Sequence, residues 1–192
     1  MEGRTPRLSM GRKIFYAIVI IVAFPIVYFF LARDMRFFKV PSNSMEPTIL
    51  VADYLMTMSV DAYTRGDIVV VRDPEGNGYL VKRIVALSGD IIEVRGGAVF
   101  LDGSYVSEPY RYEPIDYTLS RYRVREGEIF VLGDNSNWSV DSHDWTAGDE
   151  DEARTPGGIP AELIVGKVHY IYLPFSRMGK LNSYPLRTIA NG

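Results

Sequence analysis

The chain has 192 residues, of which 47% are hydrophobic and 23% are charged, and its formal net charge at pH 7 is −3. That length suits one domain of ordinary core size plus a further segment. The slight negative charge argues against nucleic acid as a partner, and the absence of cysteine excludes disulfides, thiolate metal sites and cysteine nucleophiles.

The first predicted element is a single transmembrane helix over residues 14–32. No charged residue occurs in this stretch, and its roughly 19 residues are close to the number that crosses a bilayer as a helix. A buried globular helix would carry a polar face, which this stretch lacks. A cleaved signal peptide would have a shorter apolar core and a small residue where Phe30 stands, two positions before Ala32. We therefore interpret the stretch as an uncleaved signal anchor.

The charges on either side of this helix predict its orientation. Residues 1–13 contain Arg4, Arg7, Arg12 and Lys13, whereas on the distal side Arg33, Arg36 and Lys39 are offset by Asp34. Lys and Arg are in excess on the cytoplasmic side of membrane proteins. Residues 1–13 are thus expected in the cytoplasm, and residues 33–192 are expected to form an extracytoplasmic, β-rich domain.

That domain is predicted to be all-β, as a barrel or a sandwich. Short runs of β-branched and apolar residues alternate with Gly and Pro turns, and no helix of more than a turn or two is expected after residue 32. The predicted strands cover residues 68–71, 79–87, 91–95, 98–101, 128–132 and 164–173.

An acidic stretch interrupts this pattern between Trp145 and Ile159. Residues 149–152 are all Asp or Glu, and a Thr-Pro-Gly-Gly sequence follows at residues 155–158. A calcium site is one interpretation, but a solvated charge run in an inserted surface loop is favoured. We therefore predict no metal and no cofactor, and the role of residues 149–158 stays open.

A proline-bracketed loop after the helix is the first candidate catalytic element. Pro41 and Pro47 enclose Ser42 and Ser44, and proline fixes its own φ and disfavours helix at the residue before it. We expect an extended, stiff loop that holds a hydroxyl at a fixed angle. A polar linker is the alternative interpretation, because Ser and Pro are common in linkers.

Lys82 is the candidate base for such a serine, which needs a group to take its proton. On a strand it shares one face with Leu80 and Ile84. An apolar face desolvates the amine and lowers its pKa from about 10.4 toward the value of about 7–8 that suits a base at neutral pH. An isolated strand lysine usually extends its amine to solvent, so this interpretation depends on the serine loop.

The two histidines offer a competing arrangement. His169 lies in an apolar strand and is interpreted as structural, whereas His143 follows Asp141 by two positions. A Ser-His-Asp triad built on that pair is disfavoured, because residues two apart need not form the required chain of hydrogen bonds.

Four segments, in this order and at these separations, resemble the conserved boxes of the type I signal peptidases, which are membrane-bound serine proteases with a Ser-Lys dyad. The four segments are residues 38–48, 65–71, 79–90 and 133–143. The resemblance extends from about Phe38 to about Arg177, and the Ser-Met-x-Pro-Thr sequence at Ser44 together with Gly-Asp-Asn-Ser at Gly133 makes it specific.

The resemblance implies a role for each matching residue. Ser44 matches the nucleophile and Lys82 matches the general base. Ser42 matches the hydroxyl of the oxyanion hole, and Ser139 matches the serine that orients the lysine amine. The positions that support the site without reacting are matched by Arg83, Asp134 and Asp141.

The chain departs from the family pattern at the end of the last segment. Where many relatives carry arginine after Asp-Ser, this chain has His143. We hypothesise that His143 takes over as the partner of Asp141 and forms a pH-sensitive brace. Unchanged activity and thermal stability of His143→Ala between about pH 5 and 8 would exclude that idea.

The predicted function is cleavage of N-terminal signal peptides from exported preproteins, after small residues in the Ala-x-Ala pattern that the resemblance implies. The predicted location is the bacterial cytoplasmic membrane, with the catalytic domain on the periplasmic side and the lipid bilayer as a partner. An extended substrate would pair with residues 37–40. Either shallow apolar pockets would be lined by Phe37, Phe38, Ile49 and Leu50, or these four residues would lie at the membrane surface.

Two alternatives remain open at this point. One is a dedicated processing peptidase of the same clan with few envelope or secretion-system clients. The other is a non-catalytic anchored β domain that binds envelope partners.

Overall fold

The structure is a computed structural model that describes residues 9–32, 34–76, 78–145 and 157–189. It separates into two units, Met1–Met35 and Arg36–Gly192. The acidic residues 149–152, predicted to form a solvated surface loop, lie outside the described residues.

In its described residues the first unit contains one helix, α1, over Met10–Ala32, with Pro25 in its interior. It ends at the predicted residue but begins before residue 14, so that Arg12 and Lys13 are helical. In the part of the chain that the structure describes, no helix combines the length and the hydropathy expected of a membrane span.

The second unit is mostly β-sheet, as predicted. Its strands within the described residues are β1 (Arg36–Lys39), β2 (Tyr54–Met58), β3 (Ile68–Arg72), β4 (Tyr79–Leu87), β5 (Ile91–Arg95), β6 (Ala98–Leu101), β7 (Ser104–Ser107), β8 (Leu119–Arg123), β9 (Glu128–Leu132), β10 (Ile159–Pro160), β11 (Ile164–Leu173), β12 (Gly179–Lys180) and β13 (Arg187–Ile189). Three short 3₁₀ turns accompany them, at Ser136–Trp138, Ala161–Leu163 and Phe175–Arg177.

The strands form two antiparallel sheets. Among the described residues, the larger sheet has the order β1-β2-β11-β3-β4-β9-β10, with β12 beside β11, and the smaller has the order β13-β7-β6-β5-β8. All six predicted strands are present with bounds that agree to within one residue. The strand β8 was not predicted, because its sequence Leu-Ser-Arg-Tyr-Arg is polar and its burial does not alternate.

Apolar side chains are buried on both sides of the larger sheet, in separate clusters. β3 is buried on both of its faces, which explains its unbroken apolar sequence. Ile68 and Val70 pack in one apolar cluster with Leu55 and Met45, whereas Val69 and Val71 belong to a second cluster on the opposite face. A third cluster joins β4 and β9 to the smaller sheet, and its buried members are Val85, Ala86, Ile92, Val94, Val99, Leu101, Val106, Ile115, Leu119, Val124, Phe130 and Leu132.

The loop that holds Ser42 and Ser44, called the serine loop and taken as residues 41–49, is folded into turns and not extended as predicted. The Glu46 N–H donates to the Asn43 carbonyl over 3.1 Å, and the Ile49 N–H donates to the Met45 carbonyl over 2.9 Å. Residues four apart in such a turn face the same way, and here Met45 and Ile49 are both buried in the core. The apolar burial of these two side chains therefore folds the loop, and Ile49 is a core residue rather than part of a substrate pocket.

A buried ion pair links this loop to two other segments. The Arg83 guanidinium on β4 donates to both carboxylate oxygens of Asp134 over 2.7 and 2.6 Å, and to the Gly66 carbonyl over 2.8 Å. The Thr48 hydroxyl donates to the same carboxylate over 2.5 Å. The ring of Tyr110 lies 3.9 Å from the guanidinium carbon. The Asp134 carboxylate thus joins three parts of the chain: the serine loop, strand β4 and the turn after β9, which comprises residues 133–144.

We predict that Arg83→Met lowers the free energy of unfolding by about 3–5 kcal/mol, because it leaves the fully buried Asp134 carboxylate without its counter-charge. Denaturant unfolding of the full chain measures this loss. Arg95→Met is the matched control, since Arg95 is 54% exposed and lies 3.6 Å from Glu93. The control is expected to cost less than about 1 kcal/mol, and an equally small cost for Arg83→Met would contradict the prediction.

Candidate active site

Lys82 is buried on the apolar face of β4 that the sequence predicted. It is 2% exposed, and its cross-strand neighbour on β3 is Val69. Val69 and Ile84 belong to the same buried cluster. Because directly opposed residues on antiparallel strands point to the same side, the lysine stem packs against apolar side chains.

The Lys82 amine has a neutral hydrogen-bond partner. Its Nζ donates to Ser139 Oγ over 2.8 Å. Burial lowers the pKa of Lys82 below its ordinary value, and the negative charges of Asp141 and Asp144 offset this only in part. Desolvation disfavours the ammonium form, so the amine loses its proton at a lower pH than an ordinary lysine does.

Ser44 and Ser42 lie together at a cleft. Ser44 is 6% exposed, and its Oγ is 3.4 Å from Ser42 Oγ. The cleft has a volume of about 200 Å³ and lies between the end of β1 with the serine loop and the start of β4. Its other lining residues are Phe38, Lys39, Val40, Pro41, Met45, Val70, Tyr79, Leu80 and Val81.

Gly133 brings the serine loop next to Ser139. A Cβ at this position would lie less than 3.0 Å from both the Ser44 carbonyl oxygen and Ser139 Oγ, so only glycine fits between them. Two positions further on, Asn135 donates its N–H to the Ser44 carbonyl over 3.0 Å. The Ser44 main chain therefore lies beside the hydroxyl that holds the Lys82 amine.

Asp141 and His143 form the contact that the sequence analysis hypothesised. His143 Nδ1 lies 2.7 Å from Asp141 Oδ1, and its Nε2 lies 3.2 Å from Asp144 Oδ1. The other Asp141 oxygen accepts the Gly133 N–H over 2.9 Å, and Tyr117 stacks on the imidazole at 3.7 Å. Burial opposes the imidazolium, but the hydrogen bond and charge of Asp141 outweigh it and raise the pKa of His143.

This arrangement disfavours a Ser-His-Asp triad, because both imidazole nitrogens of His143 face carboxylates. Asp141, His143 and Asp144 also place one ligand atom each within 4.8 Å of one another. Within this cluster the imidazole nitrogens contact the two carboxylates, Nδ1 that of Asp141 and Nε2 that of Asp144.

The predicted pocket residues are only partly brought together. Phe38 lines the cleft beside the serines. Phe37 is exposed and packs edge-on against Tyr172, and Leu50 lines a different groove with Phe175. The missed lining residues include Tyr79, whose only sequence signal was its position at the start of the strand that carries Lys82.

Two polar contacts of the site also escaped the sequence analysis. Thr48 bonds the carboxylate of Asp134, and the main-chain N–H of Asn135 bonds the Ser44 carbonyl. Both residues lie inside the segments that carry the family resemblance, but residue type alone does not identify a main-chain contact.

Comparison with known proteins identifies the family. Residues 10–173 match the family described as signal peptidase, peptidase S26. The chain belongs to this family. A probable signal peptidase I-1 from Synechocystis sp. (strain PCC 6803) is 38% identical over 181 residues, which cover 84% of this chain and 87% of that protein.

A plant protein and a solved structure are also similar to this chain. The thylakoidal processing peptidase 1 of Arabidopsis thaliana is 35% identical over 73% of this chain, which spans 42% of the plant protein's length. A crystal structure of a signal peptidase I from Enterococcus faecalis V583 is 25% identical, with a TM-score of 0.44 over 57% of this chain and 98% of that chain.

As a signal peptidase of this family, the protein is a serine protease that cleaves signal peptides. Family membership excludes the non-catalytic binding domain, and it does not favour a dedicated processing peptidase with few clients.

We predict that Lys82→Met gains stability relative to the wild-type signal peptidase as the pH falls. The pKa of Lys82 is lower in the folded state than in the unfolded state, so the unfolded wild type binds the extra proton. The wild type therefore loses stability as the pH falls from about 10 toward the folded-state pKa, whereas the Met variant has no such proton to bind.

Denaturant unfolding of both proteins between about pH 6 and 9 measures this difference. Lys180→Met is the matched control, because Lys180 is exposed. A stability difference for Lys82→Met that does not change with pH would show that the amine titrates alike in both states.

Proposed function

We propose that Ser44 is the nucleophile and Lys82 the general base of this signal peptidase. The observation that carries the proposal is the buried Lys82 amine, which is held 2.8 Å from Ser139 Oγ while Ser139 and the Ser44 main chain contact the same glycine, Gly133. A buried lysine with a lowered pKa, beside a serine at a cleft, has the properties that serine activation needs.

In this mechanism the uncharged Lys82 amine takes the proton of Ser44 Oγ as that oxygen attacks the scissile carbonyl. The tetrahedral intermediate collapses, the C–N bond breaks, and the Lys82 ammonium donates its proton to the leaving amine. The signal peptide is then held as an ester on Ser44. Lys82 next takes a proton from water, and the resulting hydroxide attacks the ester carbonyl. The ester C–O bond breaks, the Lys82 ammonium returns its proton to Ser44 Oγ, and the signal peptide leaves with a free C-terminal carboxyl group.

The oxyanion of these intermediates needs donors placed in advance. Ser42 Oγ, 3.4 Å from Ser44 Oγ, and the main-chain N–H of Ser44 are the proposed donors. The oxygen of Ser139, which accepts from the Lys82 amine, would orient the amine lone pair toward Ser44. Arg83, Asp134 and Asp141 support this site by holding the turn after β9, and they do not react.

The edge of the larger sheet and the cleft beside Ser44 support binding of an extended peptide. In the described residues β1 is the edge strand of the larger sheet, so the main-chain groups on its outer side are open to an extended peptide. A cleft of about 200 Å³ beside Ser44 can receive side chains of such a peptide, and the family resemblance implies that these side chains are small. We therefore infer cleavage after the Ala-x-Ala pattern, with Phe38 and Tyr79 among the residues that bound the pockets.

We predict that Ser44→Ala and Lys82→Arg each lower cleavage of an Ala-x-Ala preprotein by more than about 10³-fold. Alanine removes the nucleophile, and arginine does not give up its proton in proteins. The assay uses the full chain in detergent, with the new N-terminus identified by mass spectrometry. Ser88→Ala and Lys180→Arg are the matched controls at exposed positions and should cleave at the wild-type rate.

The same assay measures the contribution of Ser42, the proposed side-chain donor of the oxyanion hole. Ser42→Ala should slow turnover by roughly 10²–10³-fold, the usual loss for one oxyanion donor. Cleavage at the wild-type rate by Lys82→Arg would remove the lysine as the base, whatever the result at Ser42.

We further propose that residues 14–32 anchor the enzyme in the cytoplasmic membrane, with residues 1–13 inside and the domain that begins near residue 33 outside. The support is in the sequence: residues 14–32 are uncharged, and positive charge is in excess before them. Such an anchor would hold the catalytic domain close to the apolar segment of each substrate.

We predict that the full chain stays in the membrane pellet after alkaline carbonate extraction and that external protease degrades the catalytic domain in spheroplasts. A variant with Ile20→Arg and Ile21→Arg should be released by carbonate, because a charge at the centre of a span costs about 2.5–3.5 kcal/mol. Release of the unaltered chain by carbonate would rule out the anchor. Protection of the catalytic domain from external protease would show that the domain lies on the cytoplasmic side, opposite to the proposed orientation.

A further inference from the structure

The segment 108–117, which joins β7 to β8 of the smaller sheet, packs against the turn after β9. Three of its contacts with that turn are made by residues 114–117, at the C-terminal end of the segment. The Asp116 N–H donates to Asn137 Oδ1 over 3.0 Å, Asn137 Nδ2 donates to the Pro114 carbonyl over 3.0 Å, and Tyr117 stacks on His143. The smaller sheet thereby contacts the turn that carries Ser139.

The most buried of these contacts is made by Arg111. Its side chain is 7% exposed, and that of its ion-pair partner Glu108 is 6% exposed. Two guanidinium nitrogens donate to the Glu108 carboxylate over 3.0 and 2.6 Å. The third, Nη1, donates to Ser136 Oγ, so the fork of this buried cation is divided between its own segment and the turn.

Ser136 relays this contact into the active site. Its buried hydroxyl accepts from Arg111 and donates to the Gly133 carbonyl over 2.7 Å. A hydroxyl that accepts from a cation becomes a stronger donor. Gly133 is the residue that touches both the Ser44 carbonyl and Ser139 Oγ, with no room for a Cβ. A shift of Gly133 therefore moves Ser44 and Ser139 relative to each other.

We propose that Arg111 is a positioning residue of the active site and that it acts through Ser136 on Gly133. The proposal rests on the assignment of Ser44 and Lys82 as nucleophile and base. Arg111 touches neither of them and is not among the residues that line the cleft. Its expected effect is therefore on the rate of the chemical step and not on substrate binding. A misplacement of catalytic groups by about 1 Å costs up to about a hundredfold in rate.

The test is a double-mutant cycle in kcat, measured with the full chain and an Ala-x-Ala peptide substrate. Ser136→Ala and Arg111→Met should each lower kcat by about tenfold to a hundredfold and leave KM within about twofold. If Arg111 acts through Ser136, the double variant is no slower than the slower single variant. The proposal is overturned if the losses in kcat of the two single variants multiply in the double variant. It is also overturned if the kcat of Ser136→Ala stays within about twofold of wild type.

Two further variants make the result unambiguous. Arg123→Met removes an exposed arginine of β8 that donates to the Gly89 carbonyl over 3.0 Å, and it should leave kcat unchanged. If Arg111→Met does not fold, Arg111→Gln combined with Glu108→Gln takes its place in the cycle, because it leaves no buried charge unpaired.

Ser44→Ala separates this proposal from the one on which it rests. Full activity of Ser44→Ala overturns the dyad and the positioning role together. Loss of activity in Ser44→Ala, with Ser136→Ala and Arg111→Met at the wild-type rate, leaves the dyad intact and overturns only the role of Arg111.

Discussion

The site depends on the burial of two consecutive cationic residues on one strand. Lys82 and Arg83 are 2% and 0% exposed, and their side chains leave β4 on opposite faces. Arg83 meets the Asp134 carboxylate with two hydrogen bonds, so its charge is compensated where it lies. Lys82 meets the neutral hydroxyl of Ser139, so desolvation acts on its amine and lowers the pKa. Arg83 therefore stays charged and holds the structure, whereas Lys82 has the lowered pKa that its proposed role as general base requires.

The turn after β9 supplies the partner for each of these groups. Within nine residues it presents the Asp134 carboxylate to Arg83, the Asn135 N–H to the Ser44 carbonyl, the Ser139 hydroxyl to Lys82, and the Asp141 carboxylate to the Gly133 N–H. Gly133 lies at the centre because a side chain there would overlap the serine loop and Ser139. Acyl transfer needs donors and acceptors that are already in place before the charge develops, and a turn held at several points meets that need.

The two sheets of this signal peptidase contribute different parts of the candidate site. The larger sheet carries Lys82 on a central strand and has β1, the strand that leads into the serine loop, at its edge among the described residues. Such an edge can pair with an extended peptide, main chain to main chain. The smaller sheet contributes segment 108–117, whose ion pair and stacked ring pack against the turn after β9. The proposed role of Arg111 is one consequence of that packing.

The sequence alone determined the strands with strong apolar patterns, the buried face that carries Lys82, and the family to which the serine loop points. These signals are local: alternation along a strand and residue types at fixed spacing read directly from the chain. Only the tertiary structure decided that Met45 and Ile49 fold the serine loop into turns, because their apolar partners come from distant strands. It also decided the contact of Arg111 with Ser136. These residues are 25 positions apart, in connecting segments that follow strands of different sheets. Such a contact has no periodic pattern in the sequence.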